Sequence, residues 1–108
     1  MLDGRLTWLE KPLIYIESMT ANCIRYSNGY QECWSNFTSN DGDTTTVYFD
    51  EPFKDYNICI SLTQVGINGY DQYSNGFRSN GIEPSYMIIQ NKTNGTNRCD
   101  WTARGWWK

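Results

Sequence analysis

The stretch Gly69–Asn80 gathers Tyr70, Asp71, Tyr73, Asn75 and Arg78 within a few residues of one another. Aromatic rings, a carboxylate, an amide and a guanidinium are the groups that sugar recognition needs. A flat ring lies against the C–H surface of the sugar, and planar polar groups bond its hydroxyls. Tyr and Trp supply such contact area at small entropic cost. Trp106 and Trp107 are the expected neighbours of this loop and complete the candidate glycan site. The competing reading is that Tyr70, Tyr73 and Phe77 cap one end of a β-sandwich as core, and the sequence weights the two equally.

The remaining constellations carry less chemistry. The chain of 108 residues contains no histidine, so it has no imidazole base for a Ser-His-Asp or Cys-His site and no histidine metal ligand. Cys23, Cys33, Cys59 and Cys99 form no C-x-x-C pair, and a zinc site would need all four to converge from separate strands. Free, partly buried thiols are the expected state, since an unpaired cysteine packs as a small hydrophobe. An inter-subunit bridge is the alternative. Asp41-Gly42-Asp43 beside Asn40 offers oxygen ligands for calcium but lacks the closing glutamate of an EF-hand loop, and reads as an acidic turn. Glu32, Glu51 and Glu83 define no glycosidase pair. The sequons at Asn36, Asn91 and Asn94 are what chance gives in a chain this rich in Asn and Thr. The expectation is a non-enzymatic domain without a cofactor or metal.

Composition narrows the partners. A net charge of −3 with no basic run argues against nucleic acid. The longest uncharged apolar run is Pro12–Ile16, too short for a membrane span, and no signal-peptide pattern opens the chain. Asn, Gln, Ser and Thr make up close to a third of the residues, yet 16% are aromatic, which argues against disorder. Aromatic and β-branched residues pack on pleated sheets, and Asn and Gly suit the turns between strands. No stretch repeats apolar residues at helical spacing.

These features predict an all-β fold, an antiparallel β-sandwich of about six or seven short strands. The strongest local signal is a hairpin, Asn22–Tyr26 and Tyr30–Trp34 around Ser27-Asn28-Gly29. A two-residue loop would pair Arg25 with Glu32 as a cross-strand ion pair, whereas a three-residue loop would pair Cys23 with Cys33. Further strands are expected over Leu13–Ser18, Thr45–Phe49, Tyr56–Thr63, Tyr86–Gln90 and Cys99–Trp106. Asn36–Thr44 reads as a loop, and Val65–Pro84 as the longest loop, with room for one short strand. Phe49, Tyr56 and Trp101 are the expected sandwich filling. Residues 1–19 read as a connector or shaft end plus the first strand, and residues 20–108 as the sandwich domain.

The order of motifs resembles a known family. Arg25-Tyr26-Ser27-Asn28-Gly29-Tyr30-Gln31-Glu32-Cys33-Trp34 resembles the early hairpin of C-terminal domains in bacteriophage tail fibres. Thr44-Thr45-Thr46-Val47-Tyr48-Phe49, then Pro52-Phe53 and Tyr56-Asn57-Ile58, are similar to the strands that follow it. Asp100-Trp101-Thr102-Ala103-Arg104-Gly105-Trp106 resembles the closing strand. The matches run from about residue 20 to residue 107. Cys33 stands where the family commonly has Gln, and Val65–Pro84 has no counterpart. The resemblance implies a homotrimeric sandwich at the distal end of a fibre in the virion, recognising a bacterial surface polysaccharide or another outer-surface receptor without entering the membrane. The architecture is also similar to that of H-type lectins. A structural trimerisation or capping module that binds no receptor, or a secreted H-type lectin, are the alternative functions.

Overall fold

A computed structural model describes residues 13–66 and 76–108. Within these residues eight antiparallel strands form two sheets: β1 (Ile16–Met19), β2 (Cys23–Tyr26), β3 (Tyr30–Ser39), β4 (Thr44–Tyr48), β5 (Cys59–Gly66), β6 (Phe77–Glu83), β7 (Tyr86–Asn91) and β8 (Asn97–Trp106). The first sheet runs β1-β2-β3-β8-β5 and the second β4-β7-β6. The all-β sandwich is therefore present, with no helix among the described residues.

The core lies between the sheets and follows the two-residue alternation of each strand. Cys23, Cys33, Cys99, Trp101 and Ala103 point inward from the larger sheet, and Val47, Met87 and Ile89 from the smaller one. Phe49, Phe53 and Phe77 fill the space between. Phe49 meets Phe53 edge-on with ring centres 5.2 Å apart, and Trp101 at 5.9 Å. Tyr56 departs from the expected filling. It sits before β5 rather than in it and is 65% exposed.

The hairpin takes the three-residue loop. Gly29 has φ of +98°, its N–H bonds the Tyr26 carbonyl at 2.9 Å, and Asn28 accepts from the Tyr30 N–H at 3.0 Å. This is a turn closed by a left-handed glycine, the usual solution for three residues. The register then pairs Arg25 with Gln31 and Cys23 with Cys33, so no Arg25–Glu32 pair forms. The Trp34 N–H bonds the Asn22 carbonyl, which makes the neighbouring Cys23–Cys33 pair a non-hydrogen-bonded one with closely spaced side chains. Their Cα atoms are 4.1 Å apart and the two form a disulfide. The expectation of free thiols fails for these residues and describes only Cys59, exposed, and Cys99, buried.

One stretch read as a loop is strand, and the single strand for which Val65–Pro84 had room is present. β3 continues through Asn36–Ser39 because β8 pairs with it as far as Asn97. β6 lies within Val65–Pro84, held by β7 and bent by a bulge between Ser79 and Gly81. One end of the sandwich is tied by a buried polar network. The Asn91 amide donates to the Ser39 carbonyl at 3.0 Å and to the Gly95 carbonyl at 3.2 Å, and its oxygen accepts from the Thr93 N–H at 2.8 Å. Buried polar groups cost free energy unless paired in this way.

Candidate functional site

β8 sets the geometry of the candidate residues. It pairs with β3 over its whole length, so Tyr30 stands directly opposite Trp106 on the outer face of the larger sheet. Their rings meet edge-on at 5.9 Å, and Tyr26 extends the row at 5.8 Å from Tyr30. Trp106 is 43% exposed. Together with Arg104, Asn57, Ile58 and Cys59, the Tyr30 and Trp106 rings border a shallow groove of about 580 Å³. The groove thus offers aromatic surface, a guanidinium and an amide to a ligand. The Tyr30 hydroxyl donates to Glu32 at 3.3 Å. Its pKa is raised above the ordinary value by burial first and then by the Glu32 carboxylate, with Arg104 pulling the other way. Tyr30 is therefore a neutral donor at physiological pH.

Trp107 is used differently. Its indole N–H donates to the Tyr26 carbonyl at 3.0 Å, and its backbone N–H to the Gly29 carbonyl at 2.8 Å. The Arg25 guanidinium lies 4.9 Å from the ring centre and the Lys108 ammonium 4.8 Å. Arg25 in turn donates to Gln31 at 2.8 Å and to the Pro52 carbonyl at 2.6 Å, and lies 3.6 Å from the Glu51 carboxylate. The ring is engaged by the hairpin and by two cations of the chain.

Arg78 is exposed on the outer face of the smaller sheet, where it pairs in register with Gln90, and it donates to the Phe77 carbonyl at 3.0 Å. Tyr70, Asp71, Tyr73 and Asn75 lie outside the described residues. Gly66, which precedes the undescribed stretch, pairs with Asn97 at the start of β8. Gly76, which follows it, donates its N–H to the buried Gln64 side chain at 2.7 Å and leaves no room for a Cβ against Thr93. Trp106 ends the same strand, roughly 30 Å further on at about 3.3 Å per residue. Arg78 and Trp106 thus belong to different sheets and opposite ends of the molecule. Tyr30, Asn57 and Arg104 were missed as companions of Trp106, although the alternation of the closing strand already placed Arg104 and Trp106 on one face.

The Asp41-Gly42-Asp43 turn has an internal role. Asp41 accepts from the Asn94 N–H at 2.9 Å and Asp43 from the Asn40 N–H at 3.3 Å. Among the described residues no three acidic or thiol groups converge as a metal site would need.

No family model and no curated protein matches the chain. Two solved structures do. A C-terminal fragment of the P. aeruginosa R2 pyocin fibre aligns over 97% of this chain with a TM-score of 0.69 and 16% identity. An N-truncated R2-type pyocin tail fibre aligns over 97% with a TM-score of 0.70, also at 16% identity. The chain spans 29% and 43% of the length of those structures. It shares its fold with a part of each.

Proposed function

We propose that this chain is a receptor-binding domain of a phage or tailocin tail fibre that holds a bacterial surface glycan without chemically altering it. The observation that carries the reading is the fold shared over 97% of the chain with two pyocin fibre structures. The groove at Trp106 supports the glycan as ligand, because an exposed indole edged by Tyr30, Arg104 and Asn57 suits a sugar ring. Arg78, at the opposite end, is a second candidate contact, and Tyr70, Asp71, Tyr73 and Asn75 remain candidates by residue type alone.

The assembly we propose is a homotrimer, carried at the distal end of the fibre. Leu13, Ile14 and Tyr15 before β1, with Ile16 and Met19 in it, support it: these apolar residues are between 49% and 88% exposed, and exposed apolar surface marks an interface. Three copies would also multiply weak sugar contacts by avidity. Light scattering should give about three times 12.6 kDa, and a monomer mass would sink the trimer. Attachment to bacterial cells and to a glycan array tests the ligand. Trp106→Ala should weaken attachment through the groove, and Tyr73→Ala with Arg78→Ala through the other candidate residues. If no surface glycan is bound, the chain is instead a structural part of a fibre.

A further inference from the structure

A second concave site lies at the open side of the sandwich. β2 is short, and its pairing with β3 stops at Cys33, with one more hydrogen bond between Trp34 and Asn22. Beyond that point β3 has no neighbour on this side among the described residues, and β4 is likewise the edge of its sheet. Between the two uncovered edges is a cleft of about 180 Å³. Phe37, Val47 and Trp101 line its apolar interior, and Trp101 is only 5% exposed. Ser35, Thr46 and Asn22 contribute polar groups, and Tyr48, which is 72% exposed, stands at the rim.

The ladder geometry adds backbone groups to this lining. The Trp34 N–H bonds toward β2, so alternation turns the backbone N–H and C=O of Asn36 to the same uncovered side. The Phe49 N–H bonds the Ser85 carbonyl, so the backbone groups of Thr46 and Tyr48 face away from β7 and toward the cleft. Among the described residues one charge lines the site. Asp50 is held in place through Oδ2, which accepts from the Thr20 hydroxyl at 2.7 Å and the Asn22 N–H at 3.0 Å. Among the described residues no lysine or arginine borders the cleft.

We propose that this cleft is a subsite for a single neutral sugar ring and discriminates against acidic sugars. Its size fits one ring, well below the roughly 300 Å³ at which pockets for drug-sized ligands begin. The apolar interior takes a C–H face or a deoxy-sugar methyl group, while the hydroxyls and edge backbone groups bond the ring's hydroxyls. Asp50 accepts from sugar hydroxyls and repels a carboxylate, with no cation among the described lining residues to offset it. The inference rests on the glycan-binding reading above and names a different surface and a sugar class for it.

The test is amide NMR of the intact chain titrated with methyl glycosides of neutral hexoses and a 6-deoxyhexose, each beside a methyl uronate. A neutral glycoside should move the resonances of Ser35, Thr46, Tyr48 and Asp50, and the uronate should leave them in place. Tyr48→Ala should weaken neutral binding at the cleft about tenfold, the scale of one aromatic contact. Asp50→Asn, which keeps the shape, should narrow the gap between neutral and acidic sugars. Equal response to uronates overturns the discrimination. If the chain attaches to bacteria through Trp106 and the cleft resonances stay still, the subsite falls while the wider reading stands. If neither cells nor any glycoside are bound, both fall.

Discussion

The Arg25 guanidinium stands 4.9 Å over the Trp107 ring while its Nε donates to the buried Gln31. One side chain thereby couples the hairpin to the chain's last tryptophan, and Trp107 completes the link through its bond to Tyr26. Truncation to Trp107→Ala removes a half-buried ring, two cation–π contacts and a hydrogen bond. The expected cost is about 2 kcal/mol, below that of a fully buried tryptophan. A denaturant titration measures it, and the folded variant should bind ligand as the parent does.

Cys23 and Cys33 close a short loop, ten residues apart in sequence. Cross-linking such a loop restricts the unfolded chain by about 3 kcal/mol. Replacing both cysteines by serine should lower the unfolding free energy by about that amount. Equal stability of the parent in the presence and absence of a reductant would show that the bridge contributes nothing.

Cys99 and Cys59 should separate cleanly in reactivity. Burial pushes the Cys99 thiol up to about 12, whereas Cys59 is exposed. A maleimide at pH 8 should label Cys59 quickly and spare Cys99 until the protein unfolds. The same shift has a sign for stability. The folded chain holds the Cys99 proton after the unfolded chain has released it near its ordinary value of 9. Stability should therefore fall as pH rises from about 9 toward 12, with no contribution from this group at lower pH. Unfolding free energies at pH 8 and pH 10 provide the comparison.

Asn91 holds the opposite end of the sandwich with its amide hydrogens shared among carbonyl and hydroxyl oxygens of Ser39 and the Gly95 carbonyl. Asn91→Ala would strand the Thr93 N–H in a buried site, and a loss of about 3 kcal/mol is expected. Thermal unfolding would register it as a marked drop in midpoint. Asn91→Asp should also destabilise, since a carboxylate cannot donate to Ser39 or Gly95.

Much of the fold was readable from local chemistry. Asn28-Gly29 marked the hairpin, and the alternation of Cys99, Trp101 and Ala103 marked the inner face of β8. What escaped were features set by pairing at long range. Asn36–Ser39 is composed like a loop and becomes strand because β8 offers it partners. β6 carries Asn80 and Gly81, poor strand formers, and is held by β7. The disulfide turned on a loop one residue longer than the tightest hairpin, a choice that the residues left open. The site was harder still. Trp106 was identified from its type, but its companions came from register, and the cleft at Trp101 arises from the place where β2 stops.

The edges of β3 and β4, uncovered among the described residues, also bear on how copies of this chain behave at high concentration. Exposed strand edges invite other strands to add to them. Here β4 is flanked by Asp41 and Asp43 at one end and Asp50 at the other, in a chain of net charge −3. Two molecules meeting edge to edge would set these carboxylates against their own duplicates, so the charge that shapes the cleft also protects the open edge from aggregation.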